Sequence, residues 1–384
     1  MDSALAAVTA DWRRAVSSWF RWWTKERTFT LVDENDALAR VPRSTDSAYT
    51  QGIRFRWDIG DWPKHPVFRK AFKFASLHPL IPDSDGREPD LECAAKGSRD
   101  DRPCGLVHLS INQTEYTPPE LRNPNPDYTT RPYAGYLYAS VGGTILYPHT
   151  SVTSELTIGT IGARSAARGT QSLAHWTWSS SATEPMGWHN QLRNAWQITL
   201  RNLYAVELLE LCLHDCTTGT RDDGRIFDIV PNAELVLGTL MRRGSVGGSA
   251  HLGYGFPDLI TPFRIATTAP PVSPDSQGVW DEIEALVRTG WKTAWGMAFV
   301  SYDRRYVETN DLLTGSHNDD GPTGWRTNRR INLERDVGEY AWGVVVGIER
   351  LTIGWQRVTR SAEYRPGGGP HRFGVFTLGI FTPD

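Results

Sequence analysis

Two groups of residues in this sequence have side chains and spacings that chemistry could use. In the first, Asn35 and Asp36 stand side by side after Asp33 and Glu34, and Thr50 follows where an alternating stretch begins. All are oxygen donors, the ligand type that calcium takes in sets of six to eight. The spacing is not that of an EF-hand loop, and Asn and Asp also serve as ordinary turn formers. In the second, Gln171 and His175 lie four apart in GTQSLAHW, so on a helix they share one face. A histidine presented this way can act as a general base once a partner fixes its tautomer, with the glutamine beside it to hold a polar substrate group. A lone histidine is more often structural or solvated. A third stretch, RPYAGYLYASVGG from Arg131, sets Ala134 and Gly135 among aromatics at a strand entrance. Glycine there marks a close backbone approach or a bend.

Familiar enzyme signatures are missing. There is no G-x-S-x-G elbow, Walker loop, H-E-x-x-H or dinucleotide fingerprint. The net charge of −3 gives no field for nucleic acid, so no nucleic-acid partner is expected. Four cysteines, Cys93, Cys104, Cys212 and Cys216, fit zinc pairs poorly. Two local disulfides in an oxidising compartment, or free thiols, are the readings left.

The elements that must position these groups are strands. From residue 45 on, segment after segment alternates with period two. Leu156 and Ile158 alternate with Glu155 and Thr157, and Trp196, Ile198 and Leu200 with Gln197, Thr199 and Arg201. Trp295, Met297 and Phe299 share one face of KTAWGMAFVSY, and Phe376, Leu378 and Ile380 one face of FGVFTLGIF. Large apolar groups on one face and small or polar ones on the other suit a barrel with a polar interior. Tyr136, Tyr138, Tyr147, Trp342 and Trp355 near strand ends suit aromatic girdles. The 16 tryptophans add to that load. A large soluble β-sandwich has the same periodicity. No run of about 18 apolar residues offers a transmembrane helix, which leaves a membrane barrel open.

Long polar loops are expected around residues 78–105, 116–131, 163–190 and 265–285. Residues 1–29 form an extension, and residues 30–384 a single barrel domain. Within the extension MDSALAAVTA lacks the basic n-region of a signal peptide. Next comes DWRRAVSSWFRWWTKERTF, which as a helix sets Trp12, Val16, Trp19, Phe20 and Trp23 in one stripe. Such a basic, Trp-rich segment fits a membrane surface or the flank of the domain.

Taken in order, the segments resemble the outer-membrane lipid A 3′-O-deacylase (LpxR) family. ENDALARVPRSTDSAYTQGIRF resembles its opening block, and NQTEYTPPEL and RPYAGYLYASVG the next two. GTIGARSAARGTQSLAHW resembles the loop that carries glutamine and histidine four apart, and PMGWHNQL the segment after it. HLGYGFPD, ETNDLLTGS, VVVGIERLTIGWQRVTRSAEY and FGVFTLGIF follow in family order, over residues 30–381. The resemblance implies an all-β, antiparallel transmembrane barrel of about 12 strands with short loop helices, in the bacterial outer membrane. It implies calcium-dependent removal of the 3′-linked acyloxyacyl group from lipid A, or lipopolysaccharide, by a protein expected to be monomeric among outer-membrane lipid. His175 would activate water, with Gln171, Asn35 and Thr50 beside it, and Asp36, Asn35 and Thr50 would hold Ca2+. Thr130, Ala163 and Ala195 depart from the family pattern, and the glutamate that it has shortly after the histidine has no equivalent in HWTWSSSATEP. Competing readings keep the barrel but change the ester to a phospholipid, or make it a silent pore or structural protein.

Overall fold

Period-two alternation becomes a sheet that closes on itself. The computed structural model describes residues 27–39, 48–59, 104–125, 128–147, 149–178, 185–213, 224–256, 294–316, 331–348 and 351–382. The Trp-rich stripe of residues 12–23 lies outside the described residues. The first half of the barrel is β1 (Arg27–Asn35), β2 (Ala48–Ile59), β3 (Cys104–Thr117), β4 (Ala134–Tyr147), β5 (Thr150–Ile161) and β6 (Ala195–Val206). A short β7 (Leu209–Cys212) then extends the sheet beside β8. The second half is β8 (Arg225–Gly238), β9 (Met241–Tyr254), β10 (Ala294–Asn310), β12 (Asp336–Ile348), β13 (Leu351–Arg360) and β15 (His371–Thr382). Two stubs, β11 (Asn332–Leu333) and β14 (Tyr364–Arg365), pair with each other outside the barrel sheet.

Each barrel strand pairs antiparallel with its sequence neighbour, and β1–β15 and β6–β8 complete a closed 12-stranded barrel. Closure leaves no unpaired edge, which a sheet in hydrocarbon requires. Outward positions are apolar and exposed: Ile111, Leu156, Ile158, Trp196, Ile198 and Val344. Trp342 and Trp355 meet edge to face at 5.3 Å on this outer side, as a girdle would. Inward positions are polar and ion-paired. His108 meets Glu155 at 3.1 Å, Arg201 and Arg243 reach Glu234 at 3.1 and 2.6 Å, and Arg360 and Arg305 share Glu339.

Two expectations change here. Tyr136 and Tyr138 are no girdle: they stack at 4.4 Å on the lumen side, where Tyr138 accepts a hydrogen bond from Arg54. Trp295, Met297 and Phe299 also face inward, packed with Phe256 and Val345, while Val300 and Tyr302 of the same strand face out. Alternation fixes that two faces exist and not which one meets lipid; here the large apolar set fills one end of the lumen.

The long connections leave from both ends. Residues 118–133 and 162–194 join strands at the end where β1 finishes, while 60–103 and 255–293 join them at the opposite end, with Arg27 and Thr382. Cys212 is disulfide-bonded. Val344→Arg, which sets a charge on the lipid face of β12, is expected to lower unfolding free energy in lipid vesicles by about 2–4 kcal/mol. Urea titration followed by tryptophan fluorescence reads it, and an unchanged midpoint would mean that this face is not in lipid.

Candidate active site

The outward row of the first strands turns polar as it nears one rim. Asn35 on β1 pairs with Gln51 on β2, and Gln51 with Glu115 on β3. These positions are in phase with the outward Phe55 and Ile111, yet Gln51 and Glu115 are buried. Over Glu115 the cover is α1 (Ala167–Trp178), which lies on the outside of the barrel against β3 and β4. Gly135 makes this possible: a Cβ there would run into Ser165 Oγ and Ala167 Cβ. Gln113 Nε2, also outward, donates to the Ser165 carbonyl at 2.5 Å and ties down the turn before the helix. That turn contains Ala166 at φ 58, a left-handed alanine of the kind found where the surroundings over-determine the backbone.

The other flank is the 3-10 turn Asp36–Ala39, which continues from β1 and folds over β13 and β15. Here Gly374 plays the part of Gly135, because a Cβ on it would meet the backbone of Leu38. Trp355 Nε1 donates to the Leu38 carbonyl at 3.2 Å. Asp36 is thereby buried at the rim. Between the flanks, β2 carries a bulge at Thr50, where the pairing jumps from Tyr49–Tyr116 to Gln51–Glu115. Bulges re-aim side chains and recur beside functional sites.

All five residues predicted from the sequence therefore gather at one rim, on four elements: Asn35 at the end of β1, Asp36 at the start of the 3-10 turn, Thr50 at the start of β2, and Gln171 and His175 on α1. The side chains of Thr50 and His175 lie outside the described residues. Gln171 is buried at 1% exposure, and Trp188 Nε1 donates to its Oε1 at 2.7 Å. That bond points the amide: Oε1 is occupied, while Nε2 is a buried donor with no hydrogen-bond partner. Trp188 is itself packed on Tyr133 and Ala167. Its segment is stitched to the preceding loop by Met186 N to Leu121 O at 2.8 Å and Leu192 N to Tyr133 O at 2.9 Å. That loop is anchored in turn by Arg131, whose guanidinium pairs with Glu363 at 2.6 Å and lies over the Tyr116 ring. Burial would raise the Glu363 pKa, but Arg131 and Arg360 hold it down at about 2.

The sequence reading missed Gln51, Glu115 and Trp188. The first two carried a signal, since each is a polar residue in phase with the lipid-facing positions of its own strand. Trp188 carried none; only the fold brings it to Gln171. Ala195, one of the departures from the family pattern, faces the lumen in an apolar cluster with Ala134 and Leu192, away from the outer-wall site. At the opposite end, His149, Glu207 and Glu210 also stand close enough to hold a metal, but Arg225 already bridges the two carboxylates.

Residues 3–381 match the family described as outer membrane protein LpxR. Among solved structures, the chain resembles LpxR from Salmonella typhimurium at a TM-score of 0.63 and 15% identity, covering 92% of this chain and 99% of that one. It also aligns with the translocator domain of the autotransporter NalP from Neisseria meningitidis, at a TM-score of 0.32 and 9% identity, over 99% and 97% of the two chains. No curated protein matches the sequence.

Gly135→Val is expected to lift α1 from the wall, at a packing cost of about 1–3 kcal/mol. Hydrogen exchange at residues 167–173 should rise while the barrel strands stay protected. Unchanged exchange in the helix would mean that Gly135 does not seat it.

Proposed function

Because the chain belongs to the LpxR family of outer membrane proteins, we propose that it is a calcium-dependent carboxylic-ester hydrolase that removes the 3′-linked acyloxyacyl group of lipid A. The observation that carries this reading is the position of Gln171, buried one helical turn before His175 on a helix laid against a polar patch of the lipid-facing wall. A lipid ester can meet catalytic groups there without leaving the membrane boundary.

In this reading His175 takes a proton from a water molecule as the water attacks the ester carbonyl. The bond from the carbonyl carbon to the sugar's 3′ oxygen then breaks. The fatty acid leaves as the carboxylic acid, which gives its proton to bulk water, and the departing alkoxide takes a proton from the imidazolium. Gln171 Nε2, aimed by Trp188, donates to a polar group of the substrate. Asp36, Asn35 and Thr50 hold the cation. The donor set fits calcium: it is all oxygen, and the neighbouring outward Asp33 contributes a buried Oδ1 that has no hydrogen-bond donor. Calcium, when bound, supplies a Lewis acid that polarises the carbonyl and stabilises the oxyanion. The pore reading is opposed by the lumen, where charged residues of neighbouring strands are buried in ion pairs.

Purified protein in detergent, incubated with lipid A, should release the 3′-acyloxyacyl mass with calcium and not with chelator. His175→Ala should lower the rate by about 10²–10⁴-fold, the range of general-base catalysis. Release that survives strong chelation would sink the metal mechanism. An unchanged lipid A spectrum beside hydrolysed phospholipid would move the activity to the other ester.

A further inference from the structure

Glu115 is a carboxylate on the wrong face of its strand. It points to the lipid side of β3 in phase with Ile111, yet it is only 1% exposed because α1 covers it. Neither of its oxygens has a hydrogen-bond partner. Thr170 of α1 stands near it, but the Thr170 hydroxyl spends its one proton on the Ala166 carbonyl at 3.2 Å. No Arg, Lys or His among the described residues pairs with it. An ionised carboxylate buried without donors or a counter-charge costs several kcal/mol, and proteins keep such groups where a cation meets them.

The register says which cation. Asn35, Gln51 and Glu115 are successive partners across β1, β2 and β3, so their Cα atoms step about 4.8 Å from strand to strand. The outer two are thus about 10 Å apart, a span that two outward side chains can close around one ion with oxygens at about 2.3–2.6 Å. The Thr50 bulge lies between them. We propose that Glu115 is a ligand of the cation site, closing it from the α1 side as Asp36 closes it from the other. This rests on the calcium reading above and adds the Glu115 carboxylate to it.

Direct calcium binding to the full chain in detergent, by titration calorimetry and by tryptophan-sensitised terbium luminescence, tests this without reference to activity. Glu115→Gln keeps the shape and removes the charge; it should weaken calcium at least tenfold, with His175→Ala binding as the parent does. Glu115→Asp should fall between Glu115→Gln and the parent. Thr170→Val, which alters the neighbour and not the charge, should bind unchanged. Heat-modifiable migration in gels verifies that each barrel is folded. If the parent binds calcium and folded Glu115→Gln binds equally well, the ligand assignment is overturned while the calcium reading stands. If the parent binds no calcium, both fall.

Discussion

A polar side chain on the lipid side of a barrel strand has no water to turn to. It must be covered by protein, matched by an opposite charge, or turned to use. Most outward positions of this barrel avoid the problem by being apolar, as at Ile158, Ile198 and Val344. At one rim the rule is broken on three adjacent strands, by Asn35, Gln51 and Glu115. The rest of the local architecture follows. A helix is laid over the outside of β3 and β4, a 3-10 turn is folded over β13 and β15, and two glycines, Gly135 and Gly374, give each of them a seat. Both seats are backbone-deep, so the covers sit directly on the wall rather than on a cushion of side chains.

The covering helix is held by a relay that reaches into the lumen. Gln171 is aimed by Trp188, Trp188 packs on Tyr133, and the loop that ends in Tyr133 is pinned through Arg131 to Glu363. Glu363 comes from the far side of β1 and β15, so the clamp passes behind the strands that carry Asn35 and Gln51. The inner ion pairs and the outer site are thus two faces of one wall. Buried pairs of this kind add little net stability over an apolar packing. They fix which loops meet, and here the loops that meet are those that orient the helix.

Much of this was legible in the sequence. Period two from residue 45 onward gave strands and left a barrel with a polar interior and a sandwich both open, and the resemblance to the LpxR family pointed to the barrel. The four-residue step from Gln171 to His175 gave a helix face, and Gly135 gave a close approach. What could not be read was direction. Trp295, Met297 and Phe299 carry the same pattern as an outward face, but they fill the lumen, because phase is set by the strand partners and not by the strand itself. The same limit hid Glu115, whose outward phase means something only once Ile111 is known to face lipid. Trp188 was beyond reach for another reason, since its contact with Gln171 depends on how a loop folds back and no periodicity encodes it.

The placement of α1 on the outside of the barrel changes the dimensionality of encounter. A ligand that reaches Gln171 along the wall arrives by sliding within a sheet of lipid, not by tumbling out of solution. Its relevant concentration is then a mole fraction in the leaflet, and dilution of the surrounding aqueous volume leaves that fraction untouched. Crowding among neighbouring lipids, rather than bulk diffusion, becomes the variable that sets how often the helix and the wall meet something between them.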